Sequence, residues 1–199
     1  EGEHKRWFEN GQMWYQQNYV DGKFEGEHKR WYKNGQISYQ VTYVNDKYDG
    51  EYKGWHENGL QRVQRNYVNG IQEGSFISWY RDGTIREQST YKKGSREGEH
   101  KRWFENGQMW YQQNYVDGKF EGEHKRWYKN GQISYQVTYV NDKYDGEYKG
   151  WHENGLQRVQ RNYVNGIQEG SFISWYRDGT IREQSTYKKG SREGEHKRW

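Results

Sequence analysis

The chain has no cysteine and no proline, and only two methionines and six phenylalanines among its 199 residues. The absence of cysteine excludes a disulfide, a thiolate metal site and a cysteine nucleophile. The absence of proline leaves every strand position its backbone donor. Hydrophobic residues make up only 30%, well short of a typical globular chain, so a two-layer core cannot be filled. No run is long or apolar enough to span a membrane as a helix. A dominant charge sign is also lacking: 32 basic residues against 28 acidic ones leave a net charge of +4, with the signs interspersed. The densest basic cluster, His4-Lys5-Arg6, is flanked by Glu1 and Glu3. A solvated charged strand therefore accounts for the basic residues better than a nucleic-acid-binding face does.

Aromatic residues, by contrast, are plentiful. They reach 19%, with 11 Trp and 20 Tyr. Each Trp or Tyr buries roughly 150–250 Å² and tolerates one wet edge. That suits a single-layer sheet whose aromatic face is covered by its own neighbours. Low apolar content with many charges also fits disorder, but the strict Trp and Tyr periodicity argues against it.

Residues 1–103 and 97–199 are identical letter for letter, at an offset of 96. Each block of 96 divides into four units of 24: 1–24, 25–48, 49–72 and 73–96, then 97–120, 121–144, 145–168 and 169–192, with a partial ninth unit at 193–199. A fixed period of this length marks a repeat array, here one array over 1–199. Positions within a unit are called slots 1–24 below. Five slots never vary. Gly2, Trp7, Gly11, Gln16 and Tyr19 recur as Gly26, Trp31, Gly35, Gln40 and Tyr43, then as Gly50, Trp55, Gly59, Gln64 and Tyr67. The fourth unit keeps Gly74, Trp79, Gly83, Gln88 and Tyr91. The tryptophan series continues as Trp103, Trp127, Trp151, Trp175 and Trp199.

Each unit reads as a β-hairpin, with Glu3–Phe8 and Gln12–Val20 as strands around Glu9-Asn10-Gly11. Asn-Gly supplies the positive φ that a tight hairpin needs. A two-residue loop would set Trp7 opposite Trp14. A three-residue loop with Gly11 in a bulge, the preferred reading, pairs Phe8 with Gln12 and Trp7 with Met13. Counting at period two then places Trp7, Met13, Tyr15 and Tyr19 on one face. The other face receives His4, Arg6, Gln12, Gln16 and Asn18, with Phe8 and Trp14 as a thinner aromatic set. Asp21-Gly22 turns the chain into the next unit. Asp46 stands in for that glycine in the second unit, since Asp tolerates left-handed geometry. Apolar residues alternate instead of recurring at three and four, and glycine interrupts repeatedly, so no helix competes.

The pattern Gly-x-x-x-x-Trp-aromatic-x-Asn-Gly, followed by Tyr-x-x-Gly, is carried by Gly2, Trp7, Phe8, Asn10, Gly11, Tyr19 and Gly22. It resembles the MORN repeat, and more closely its bacterial and viral variant found in YwqK-type antitoxins. The likeness covers the whole chain, although Trp stands where Tyr is common and the unit is slightly long. The resemblance implies an elongated, twisted, single-layer antiparallel sheet. It also implies a role as scaffold, adaptor, toxin-neutralising partner or piece of a larger enzyme, and fold-level analogy does not choose among these.

Little in the chain suggests chemistry. His4, His28, His100, His124 and His196 share one slot; His56 and His152 share another. Equivalent slots of adjacent hairpins are about 10 Å apart, whereas zinc needs its ligands at about 2 Å. Surface histidines in polar strands are therefore expected. Glu3, Glu27 and Glu51 with Lys5, Lys29 and Lys53 read as cross-strand charge pairs. A single-layer sheet offers no cleft to raise a carboxylate pKa. Ser38 and Ser78 lack a Gly-x-Ser-x-Gly setting. No enzyme activity, cofactor or small-molecule substrate is expected.

The tryptophan series reads as the packing centre of each hairpin. Slots that change from unit to unit, such as Trp14, Ser38, Arg62 and Arg86, individualise a surface, so Trp14, Arg62, Arg86 and Trp110 are the candidate partner-binding residues. Three functional readings follow. The favoured one is a non-catalytic structural repeat protein: a scaffold engineered by duplication, or part of a head-to-tail filament whose open edges extend one another. The alternative is a protein-binding module using the sheet face. A membrane-surface or glycan binder is less favoured.

Overall fold

The computed structural model describes all 199 residues and contains no helix. The chain divides into two compact units, Glu1–Glu97 and Gly98–Trp199, a boundary that coincides with the sequence duplication. Strands of the first block are β1 (Gly2–Trp7), β2 (Met13–Val20), β3 (Lys23–Phe24), β4 (Gly26–Trp31), β5 (Ile37–Val44), β6 (Lys47–Tyr48), β7 (Gly50–Trp55), β8 (Gln61–Val68), β9 (Ile71–Trp79) and β10 (Ile85–Lys92). Those of the second are β11 (Ser95–Trp103), β12 (Met109–Val116), β13 (Lys119–Phe120), β14 (Gly122–Trp127), β15 (Ile133–Val140), β16 (Lys143–Tyr144), β17 (Gly146–Trp151), β18 (Gln157–Val164), β19 (Ile167–Trp175), β20 (Ile181–Lys188) and β21 (Ser191–Arg198). Within each unit every pairing is antiparallel, and neighbouring hairpins join into an open sheet, β2 with β4, β5 with β7, β12 with β14 and β15 with β17 pairing past the two-residue strands between them.

The hairpin turn has the three-residue form. The Phe8 amide donates to the Gln12 carbonyl at 2.8 Å, and the Gly11 amide to the Phe8 carbonyl at 3.0 Å. Gly11 has φ +82°, so any residue with a Cβ would be strained there. Trp7 faces Met13, as expected, but Arg6 faces Tyr15, and the register shifts between them. Trp14 is thus the extra residue of a β-bulge.

That bulge corrects the assignment of faces. His4 pairs with Gln17, Arg6 with Tyr15 and Gly2 with Tyr19, while Lys5 pairs with Gln16 and Trp7 with Met13. Tyr15 and Tyr19 therefore share a face with His4 and Arg6, and Trp7 and Met13 lie on the opposite face with Glu3, Lys5, Gln16 and Asn18. Period-two counting through the extra residue had inverted the upper strand. Trp14 itself joins the tyrosine side: its ring lies 5.3 Å from Tyr15 and 5.7 Å from Phe8.

The tyrosine face holds the core. Rings in slots 19 and 24 form a continuous ladder, Tyr19–Phe24–Tyr43–Tyr48–Tyr67, with centroids 4.7, 5.0, 4.9 and 5.1 Å apart. Its copy runs Tyr115–Phe120–Tyr139–Tyr144–Tyr163. Tyr43 and Tyr139 are held protonated well above the usual phenol range, first by burial and then by the hydroxyls of Tyr48 and Tyr144. Val41 and Val137 are completely covered beside these ladders. The tryptophan series is not the packing centre: Trp7 is 55% exposed, and the inner tryptophans are half-buried.

Neighbouring hairpins are also stitched laterally. Asn10 Nδ2 donates to the Lys33 carbonyl at 2.8 Å while its Oδ1 accepts from the Gln12 amide. Asn34 and Asn58 repeat this with the Glu57 and Arg81 carbonyls. Tyr32 Oη donates to the Trp55 carbonyl at 2.8 Å. The slot-1 carboxylates of Glu25 and Asp49 accept the turn amides of Asn45 and Asn69. Asp46, at φ +65° as expected for a left-handed Asp, also accepts the Phe24 amide at 2.7 Å.

Candidate binding face

The invariant slots serve the architecture. Glycines of slots 2 and 11 all have positive φ. Slot-16 glutamines reach the slot-3 carboxylates, as in Gln16 with Glu3, Gln40 with Glu27 and Gln64 with Glu51. Those carboxylates pair along their own strand with Lys5, Lys29 and Lys53 at 2.6–2.7 Å. The expected cross-strand charge pairs are therefore same-strand pairs, because the residue facing each lysine is a glutamine. For exposed groups such pairs contribute little.

The histidines also differ from expectation. His28, His100 and His124 are buried, because slot 4 lies on the tyrosine face. His124 donates from Nδ1 to Gln113 Oε1 and accepts the Tyr135 hydroxyl at Nε2, 3.1 Å away. Tyr135 stacks on it at 5.3 Å. Burial, with Arg126 adding, lowers the His124 pKa to about 4 and that of His28 in the same direction through burial and Arg30. His28 and His124 are neutral core groups. No cluster of three or more His, Asp or Glu is placed to hold a metal.

The variable slots lie together on the rim of the tyrosine face, and they change character along each block. Slots 6 and 15 hold Arg6 and Tyr15, then Arg30 and Tyr39; in the next unit they hold Gly54 and Val63, then Ser78 and Glu87. Arg30 fills its slot by stacking 5.7 Å over Trp14 and 6.0 Å over Tyr39. Where those side chains shrink, a trough opens. In the second block it has a volume of about 420 Å³ and is lined by Val159 and Ser174 between Arg158, Arg161 and Arg182, with Glu183 at one side. Tyr148, Phe172 and Trp175 wall it. The sheet thus does offer a concavity.

Arg158 and Arg182, the copies of the candidate residues Arg62 and Arg86, both line this trough. Trp14 and Trp110 belong to a different part of the face. Trp14 lines a separate recess of about 400 Å³ with Trp7, Phe8, Glu9, Asn10 and Lys33. Arg102 and Arg126 stand over Trp110 at 4.9 and 5.8 Å. Reading the sequence missed Arg161 and its copy Arg65. Their signal was a change at slot 17 from Gln17 and Val41 to arginine.

Gly54 and Gly150 are essential to the trough for space and not for φ. A Cβ on Gly150 would lie 2.8 Å from Val159 Cγ1 and 3.2 Å from Arg158 Nη2; on Gly54 the corresponding distances are 2.9 and 3.2 Å. Arg161 lies 4.4 Å over the Tyr148 ring and Arg65 lies 4.6 Å over Tyr52. The copies agree at these residues, while Ser78 and Glu87 are buried and Ser174 and Glu183 half-buried.

Fold and face together define a tandem β-hairpin repeat protein with an architectural aromatic face and a variable rim. The sequence profile of the MORN repeat variant matches residues 1–21, 24–45, 72–93, 96–117, 120–141 and 168–189. These segments cover well over half of the chain, which therefore belongs to the MORN repeat variant family. Residues 49–71 and 145–167, all but the last position of their units, lie outside the matches; these units carry Gly54, Arg62 and Arg65 and their copies. No curated protein matches the chain.

Proposed function

We propose that the chain is a non-catalytic structural repeat protein, a scaffold whose variable slots bind a protein partner on the tyrosine face. The observation that carries this reading is the division of labour between slots. Invariant Gly, Gln and Tyr positions, and the Asn of slot 10 that becomes Asp82 in the fourth unit, are consumed by turns, lateral hydrogen bonds and the ring ladder. Slot 14, by contrast, holds Trp14, Ser38, Arg62 and Arg86 in successive units and is an extra, bulged residue whose side chain the hairpin does not need. Bulges commonly re-aim a side chain next to functional surfaces.

Serine is native to this slot at Ser38, so serine replacements at Trp14, Arg62, Arg86 and their copies provide the test. The variant keeps the far-ultraviolet spectrum and melting temperature of the parent, but a partner captured by the parent from the native host is no longer retained. Undiminished capture by the all-serine variant would refute a role for these slots. Particle mass that grows with concentration in light scattering would shift the reading to edge-to-edge assembly with further copies.

A further inference from the structure

We propose that the trough over β17–β20, and its copy over β7–β10, binds an acidic peptide segment of a partner protein through that segment's carboxylates. This rests on the partner-binding role of the variable slots and names the chemistry they recognise.

The first argument is uncompensated charge. In seven of the units the first strand pairs its own lysine with a glutamate, as with Lys125 and Glu123 or Lys149 and Glu147. Arg158, Arg161 and Arg182 converge on one trough, yet none of them makes an ion pair. Its only acid, Glu183, is already engaged by Arg192 at 3.1 Å and His196 at 3.0 Å. The Nε donors of Arg161 and Arg65 are buried without a partner, and buried donors ordinarily have one.

The second argument is preorganisation. Arg161 is flattened against Tyr148 at 4.4 Å and also lies 5.6 Å from Tyr163. A guanidinium held by its face presents its planar edge, the fork that receives a carboxylate in two parallel hydrogen bonds. The floor is low because Gly150 and Ser174 replace the arginine found at slot 6 elsewhere.

The third argument is shape. The Tyr148 face, on which a base would stack, is already covered by Arg161, which disfavours single-stranded nucleic acid. The cations line a trough and not a plane, which an extended chain enters more readily than a bilayer surface does. An extended acidic peptide can place alternate side chains inward, beside the Phe172 ring.

The same side chains recur over β7–β10, where Ser78 and Glu87 are more deeply covered than Ser174 and Glu183, and the proposal predicts two sites per chain, which makes the experiment discriminating. The probe is a labelled peptide of alternating Glu and Tyr, its control the same peptide with Gln for Glu, followed by fluorescence anisotropy and calorimetry on the full chain. The Glu peptide binds at two per chain and weakens with salt, and the Gln peptide does not bind. R158S/R182S lowers the stoichiometry to one, and adding R62S/R86S weakens affinity by roughly tenfold or more. W14S/W110S leaves peptide binding intact and shows that the loss is local. Equal binding of both peptides, or no effect of the four arginine replacements, overturns the proposal. So does binding only to phosphatidylserine vesicles or to oligothymidylate. If the peptide fails while partner capture still depends on slot 14, the acidic-peptide proposal falls and the broader reading stands. Capture that ignores slot 14 removes the broader reading itself.

Discussion

Replacing Tyr43 by Ala should cost more than replacing Trp31 by Ala, although Trp is the larger residue and its slot never varies. Tyr43 stands between Phe24 at 5.0 Å and Tyr48 at 4.9 Å, with His28 at 5.7 Å. Each well-placed ring pair contributes about 0.5–1.5 kcal/mol beyond area burial. Removing a fully buried large aromatic costs about 3–5 kcal/mol. For a half-buried ring with two good partners the loss should be about 3 kcal/mol. Trp31 lies on the opposite face, half-buried, opposite Ile37 and without a ring partner. Its truncation should cost about 1–2 kcal/mol of partial apolar burial. Because repeat arrays open locally, the suitable assay is native-state hydrogen exchange of the segment spanning β4–β6. The substituted peptide differs in mass from its unaltered copy over β14–β16, which serves as an internal reference. Faster exchange in Y43A than in W31A is expected. Equal or faster exchange in W31A would mean that the tryptophan series, not the tyrosine ladder, carries the packing, and the face assignment would be wrong.

Four further outcomes follow from the geometry. Gly54→Ala forces its Cβ to 2.9 Å from the β-branched Val63 and should destabilise by about 1–3 kcal/mol through overpacking. Gly50→Ala, whose Cβ would make only an ordinary contact with Thr42 at 4.0 Å but sits at φ +102°, should lose a similar amount through backbone strain; a melting-temperature series that also includes the neighbouring non-glycine positions checks both. Asn34→Asp keeps the acceptor for the Gln36 amide but loses the donor to the Glu57 carbonyl. It should cost about 1 kcal/mol at neutral pH and recover as acid protonates the new carboxyl, read as a converging pair of pH–stability curves. His124 is held neutral, with its pKa falling from 6.5 unfolded to about 4 folded. Its contribution is full above pH 6.5 and lost as pH falls toward 4, because the unfolded chain takes up the proton first. H124Y, which uses the residue native to that slot at Tyr52, should flatten this part of the pH–melting curve relative to the parent, and unchanged curvature would refute the burial argument.

Much of the fold was legible because hairpin signals are local. The 24-residue period, the Asn-Gly turn and its three-residue loop, the left-handed Asp46 and the absence of helix all depend on residues within a few positions of one another. The faces were not legible. The bulge at Trp14 adds one residue to one strand, and one residue inverts every side chain beyond it. The burial of His28 and His124 followed from the same inversion. Of the candidate site, Arg62 and Arg86 were marked by variability alone, while Arg65 was missed.

The sequence by itself determined the array, its unit length, the turn chemistry and membership in the MORN repeat variant family, since each rests on short-range backbone geometry repeated without change. Only the tertiary structure decided which face carries the core, which glycine serves space rather than φ, and where cations gather without counterions. Those depend on residues about one unit apart in sequence that become lateral neighbours across the sheet. Asn10 reaches the next turn, and Val159, Arg161, Ser174 and Arg182 line one trough from three strands. Cross-strand register, set by a single bulged residue per hairpin, brings them together.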